Sequence, residues 1–164
     1  MDLPEVVTTA RLRLVVIGPD EARAMLGGHR DPSWAPDYPQ KDDLDAVSMI
    51  KEASSWAPRH VVRAFDGLVV GSIGFFGPPD AAEDEVPEVE VGYGLVPAAR
   101  GHGAATEALG GLIAQLDGLG VRVRASVQPD NTASVRVLAK CGFTGLRGSD
   151  DEGNLVMVRP LPAG

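Results

Sequence analysis

The segment Arg100-Gly101-His102-Gly103-Ala104-Ala105 sets two glycines immediately before an apolar-periodic run. A glycine-rich turn leading into a helix presents free backbone N–H groups at the positive end of the helix dipole. That arrangement holds a pyrophosphate without any cationic side chain. Gly101 and Gly103 allow the backbone close approach to the phosphates, and Arg100 and Thr106 can add side-chain donors. His102 lies inside the turn, where an imidazole is more often a surface group than a base. The dinucleotide fingerprint asks for a third glycine and an acidic residue about 20 positions later. Positions 106 and 123 are Thr and Val, so a dinucleotide-binding oxidoreductase ranks last. No Gly-x-x-x-x-Gly-Lys-Ser/Thr occurs either.

Further candidates flank the turn. Glu88 and Glu90 stand two apart in a strand pattern and therefore point to one face, as a solvated pair or as proton acceptors. Asn131 opens a second helical run as a cap, a cofactor contact or both, and Ser134 follows in its first turns. The single cysteine, Cys141, reads as a small buried apolar residue rather than a nucleophile. His29 and His60 have no legible partner. Trp34, Tyr38 and Trp56 read as core anchors before acceptor-pocket walls. No metal is called for.

The elements that must position these residues follow from periodicity. Residues 11 to 17 alternate and then run apolar, as a strand. Pro19-Asp20-Glu21 opens a helix that Gly27-Gly28 closes. Residues 29 to 41 form a proline-rich loop, and 42 to 56 an amphipathic helix. Strands are expected at 60 to 66, 68 to 76 and 86 to 95. Asp66-Gly67 turns between the first two, and residues 77 to 85 loop between the last two. Gly92 and Gly94 inside the third suggest a bulge or a close backbone approach. A helix to about 117 follows the glycine turn. Then come a strand at 121 to 127, a helix ending at Cys141-Gly142, and strands at 143 to 147 and 154 to 159. The order predicts an α/β (α+β) domain over 1–164 with about four helices and about seven strands, antiparallel where strands are consecutive.

Composition bounds the partners. A chain of 164 residues suits one core. The formal charge of −8 disfavours nucleic acid and favours cationic partners, although it also serves solubility alone. No apolar run approaches the roughly 20 residues of a membrane span. The acidic start lacks a secretory pattern, and one cysteine permits no internal disulfide, so a cytoplasmic location is the expectation.

Taken together, the segments resemble the GNAT superfamily of N-acetyltransferases. Arg100 to Ala105 match its motif A, Q/R-x-x-G-x-G/A, and Asn131 to Phe143 look like its motif B, ending in Gly-Phe. Thr9-Ala10-Arg11-Leu12-Arg13-Leu14 and Glu90-Val91-Gly92-Tyr93 are similar to the branch of ribosomal-protein N-terminal acetyltransferases, the Rim type. The resemblance implies a mixed, mostly antiparallel sheet whose central parallel strands splay apart. It implies acetyl-CoA in that wedge, with pantetheine along the backbone of Leu95 and Val96. The pyrophosphate would lie on residues 100 to 106 (Arg100, Gly101, His102, Gly103, Ala104, Ala105, Thr106), with Asn131 and Ser134 facing the cofactor. The acceptor would be an amine, on a small molecule or a protein N-terminus, and the protein a monomer or homodimer. An amine of pKa about 10.4 must lose a proton before attack. Glu90 is the first expected base and Glu88 the second, and the Leu95 N–H is a candidate oxyanion donor. Many superfamily members place a Tyr acid seven residues after the Asn. Here that position is Leu138, so Ser134, a water or unassisted thiolate departure must substitute, and a non-catalytic acyl-CoA-binding module is the alternative.

Overall fold

The computed structural model describes residues 2–162. The chain begins with β1 (Val6–Thr8), β2 (Leu12–Val16), α1 (Pro19–Leu26) and α2 (Lys41–Val47). The middle strands are β3 (Arg59–Arg63), β4 (Leu68–Phe75), β5 (Asp80–Ala81) and β6 (Pro87–Leu95). A short 3-10 turn, Pro97–Ala99, leads to α3 (Ala104–Ala114), β7 (Arg122–Val127), α4 (Thr132–Lys140), β8 (Gly145–Ser149) and β9 (Leu155–Arg159). The sheet runs β1-β2-β3-β4-β6-β7-β9-β8, with β5 paired to β6. Every named pairing is antiparallel except β6 with β7. The two strands beyond the expected seven are β1 and β5, too short for a periodic signal.

Register assigns the helices to faces. His60 and Ser72 are cross-strand partners, and Ser72 stands opposite Gly94, so these three share one face. α1 and α2 cover that face: Glu21 bonds His60, and Asp43 bonds Ser72. Tyr93 alternates with Gly92 and Gly94 and points the other way, where its hydroxyl meets Ser134 of α4. α3 packs on this second side through Ala108, Leu109, Leu112 and Ile113, all buried. Each such side chain withdrawn from water contributes roughly 1.5–3 kcal/mol for the larger residues. No helix among the described residues is long and apolar enough to cross a membrane.

One expectation is corrected, and one pair of alternatives is resolved. α2 ends at Val47 rather than near 56, because Ser48 Oγ donates to the Asp45 carbonyl at 2.6 Å and breaks the helical ladder. Ser54 Oγ then accepts from the Trp56 N–H at 3.1 Å, so Trp56 reaches the core from a turn. The register shift lies between β3 and β4, where Val61 and Val62 pair with Gly71 and Val69 and Val70 of β4 is the extra residue, whereas β6 pairs with β4 in unbroken register. Gly92 marks a close approach instead: a Cβ there would lie 2.7 Å from the Phe76 ring.

Candidate functional site

The parallel pair opens as a wedge. β6 and β7 share only the rungs Glu88–Arg122, Val89–Val123 and Glu90–Arg124. Beyond them β6 follows β4 as far as Leu95, while β7 follows β9 as far as Val127. Backbone polarity alternates along β6. Phe76 N–H donates to the Glu90 carbonyl at 3.0 Å and Val96 N–H to the Val70 carbonyl at 2.8 Å, so the even-numbered residues bond toward β4. The N–H groups of Tyr93 and Leu95 therefore face the wedge. The Val96 N–H is engaged on the β4 side and does not face the wedge. The Leu95 carbonyl accepts from Arg100 Nε at 3.0 Å, which leaves the Leu95 N–H as the donor at the wedge's mouth.

The glycine turn lies at the end of this strand. Gly101 and Gly103 both adopt left-handed backbone, at φ 81° and 79°, and a Cβ at Gly101 would meet nothing within 4 Å. Gly103 is the N-cap of α3, so the N–H groups of Ala104, Ala105 and Thr106 begin the helix without intrahelical partners. His102 is exposed, and its carbonyl accepts from Arg11 Nη1 at 3.1 Å. Arg100 bends back to close the strand end through its Nε.

α4 supplies the opposite lip. Asn131 caps it by accepting from the Ser134 N–H at 3.1 Å. Ser134 Oγ lies 2.7 Å from the Tyr93 hydroxyl. Burial pushes the Tyr93 phenol up, so it stays protonated at neutral pH. Leu138 is 1% exposed and belongs to the core. Cys141 donates to the Thr106 carbonyl at 3.5 Å, and burial pushes its thiol up, away from thiolate reactivity.

On the other face, Glu88 and Glu90 share Arg124 but differ in setting. Glu88, with 2% of its side chain exposed, accepts from Arg122 Nε at 2.6 Å and Arg124 Nη1 at 2.8 Å. Arg147 adds a two-pronged contact at 2.6 and 2.8 Å. The Arg147 bonds lead in holding the Glu88 carboxyl down to about 2, and the bonds from Arg122 and Arg124 add to them. Glu90 makes one contact, to Arg124 Nε at 3.2 Å, and lines a hollow of about 660 Å³ with Arg124 and Phe76. Across Phe76 lies a cleft of about 320 Å³ between α2 and the strands, walled by Asp42, Asp43, Asp45, Ser72 and Gly94. Burial raises the Asp43 carboxyl, while bonds from Ser72 and the Gln40 N–H oppose that shift.

Sequence reading missed three features. His60 is buried between Glu21 at Nε2 and the Tyr38 hydroxyl, 2.8 Å from Nδ1. These partners come from separate elements and carry no spacing signal. Tyr38 packs edge to face on it and on Trp34, and Trp34 lies tilted against it at 43°, both as core anchors, as expected. The Tyr93–Ser134 contact and the acidic cleft wall were the other two; Tyr93 was visible only as part of a motif.

A family model described as "Acetyltransferase (GNAT) domain" matches residues 11–144. No protein with a curated description matches the sequence. Among solved structures, Mycobacterium smegmatis RimJ in complex with CoA-disulfide is 22% identical, with a TM-score of 0.56 over 96% of this chain and 89% of that one. The ribosomal-protein-S5-alanine acetyltransferase of Vibrio fischeri is 16% identical, with a TM-score of 0.60 over 93% of each chain. The microcin C7 self-immunity acetyltransferase MccE, in complex with acetyl-CoA and AMP, is also 16% identical, at 0.61 over 93% of each.

Proposed function

Because the chain belongs to the GNAT acetyltransferase family, which uses acetyl-CoA, we propose that it transfers the acetyl group to a primary amine by direct attack in a ternary complex. The supporting observation is the conjunction of the left-handed Gly101/Gly103 turn with a strand wedge toward which the Tyr93 and Leu95 N–H groups point. These features fit acetyl-CoA: the turn and the first N–H groups of α3 would hold its pyrophosphate, and the β6 edge its pantetheine arm. When bound, acetyl-CoA supplies an activated thioester with a thiol leaving group. The Leu95 N–H is a fixed donor for the carbonyl oxygen as negative charge develops there.

The acceptor enters on the α1/α2 face. Gly94 leaves β6 bare there, beside the Phe76 ring that covers Gly92, and Asp42 and Asp43, with Asp45 paired to Lys41, form a wall that attracts an ammonium group. The Rim-type motifs at 9–14 and 90–93 and the fold shared with the Vibrio fischeri enzyme favour a peptide N-terminus over a small amine. Glu90 shares this face and takes the amine proton, directly or through water. Glu88 does not serve as base: a carboxylate near 2 has too little proton affinity, and its role is to fasten β6, β7 and β8. The Tyr93–Ser134 pair donates toward the departing sulfur, where Leu138 offers nothing.

The test is thiol release from acetyl-CoA against a panel of peptide N-termini, polyamines and aminoglycosides, with wild type and Glu90→Gln. Turnover on at least one amine is expected, reduced about 100-fold or more in the variant with acetyl-CoA affinity unchanged. Equal turnover by the variant would remove Glu90 from the mechanism.

A further inference from the structure

Thr9 and Arg11 precede β2 and lie more than ninety residues from the glycine turn, yet the fold brings them to it. The Glu107 carboxylate, one turn into α3, accepts from the Thr9 hydroxyl, from the Arg11 N–H at 2.8 Å and from Arg11 Nε at 2.7 Å. The Thr9 methyl sits so near α3 that a Cβ at Gly111 would lie 2.4 Å from it. The remaining guanidinium nitrogens reach the turn itself. Nη1 donates to the His102 carbonyl at 3.1 Å, and Nη2 lies 3.5 Å from where a Gly103 Cβ would stand.

This contact has a stereochemical consequence. In a trans peptide the C=O of one residue and the N–H of the next point in opposite directions. Holding the His102 carbonyl toward Arg11 therefore aims the Gly103 N–H away from Arg11, out of the turn. The same bond sets a positive charge directly behind that donor. Glu107 fixes the guanidinium in this orientation, and Thr9 fixes Glu107.

We propose that Arg11 is a positioning residue for the cofactor pyrophosphate, orienting the Gly103 N–H and adding its charge behind the turn, with Glu107 and Thr9 as its clamp. The inference concerns the acetyl-CoA site and is independent of the acceptor.

The experiment is calorimetric titration of wild type, Arg11→Gln and Arg11→Lys with CoA and with S-acetylpantetheine, which lacks the pyrophosphate. Loss of a charge-assisted bond predicts CoA binding about tenfold weaker in Arg11→Gln, with S-acetylpantetheine binding unchanged. Arg11→Lys keeps the charge but cannot bond both Glu107 and the His102 carbonyl, so an intermediate, CoA-only loss is expected; it also carries the test if Arg11→Gln does not fold. Equal weakening of both ligands would reduce Arg11 to a general structural role. Unaltered CoA affinity in both variants, against a wild type that binds, would overturn the assignment outright.

Discussion

At the scale of the residue, Glu88 shows how burial and partners decide what a carboxylate does. Its four close contacts come from Arg122, Arg124 and Arg147, and they outweigh the desolvation that would otherwise raise it. The folded value near 2 lies below the ordinary 4.5, so the ionised form is favoured by folding. The resulting stability is fully present above the ordinary value and drains as pH falls toward 2. Glu88→Gln keeps the shape but removes the anion that three guanidiniums share, leaving Arg122 with Asp84, Arg124 with Glu90 and Arg147 with no carboxylate among the described residues. Thermal melts at pH 7 are expected to show a loss of about 3 kcal/mol, and the gap to wild type should close as pH falls below about 4. A gap that is independent of pH would mean that packing, not charge, makes the difference.

At the scale of the element, the contact between β6 and α4 is the substitute we propose for the tyrosine that motif B lacks here. Asn131 sets the first turn of α4, and that turn carries Ser134 to the Tyr93 hydroxyl at 2.7 Å. Tyr93→Phe and Ser134→Ala each remove one member of the pair. Each is expected to lower kcat about tenfold with acetyl-CoA affinity intact. The effect is modest because a thiol of pKa about 8.5 is already a tolerable leaving group. Stopped-flow thiol release would separate the two parameters, and an unaltered kcat in both variants would show that the sulfur leaves unassisted. The element scale also shows what the sequence made legible. The wedge strands, the glycine turn and α4 announce themselves through period, glycine placement and capping, all local signals. α2 was read too long because the apolar spacing of residues 50 to 56 continues after Ser48 has ended the helix. The Glu21–His60–Tyr38 chain and the Thr9–Arg11–Glu107 clamp were invisible, since each joins residues that only the tertiary fold brings together. Glu88 and Glu90 were legible as a same-face pair, but nothing local told that Arg122 and Arg147 would claim one of them.

At the scale of the molecule, a net charge of −8 opposes an anionic cofactor and favours a cationic acceptor of the kind proposed. The chain carries 23 acidic and 15 basic residues, and Arg122, Arg124 and Arg147 are already tied to Glu88. On the proposed reading a polyanionic cofactor is held by short-range devices, the turn's N–H groups and the Arg11 guanidinium behind them. On the same reading a cationic amine is drawn from further away by the net field, toward a cleft whose wall holds Asp42, Asp43 and Asp45. The two substrates should thus respond to salt in opposite directions. Between about 10 mM and 300 mM the screening length contracts from about 30 Å to well under 10 Å. Over that range kcat/KM for a polyamine or a lysine-rich peptide is expected to fall several-fold, while the KM for acetyl-CoA stays level or falls as repulsion is screened. A singly charged amine should show a weaker salt response than a polyamine, because steering scales with ligand charge. If all amines respond alike, the acidic surface acts on solubility only, and acceptor choice rests on the shape of the cleft and the Phe76 wall that bounds it.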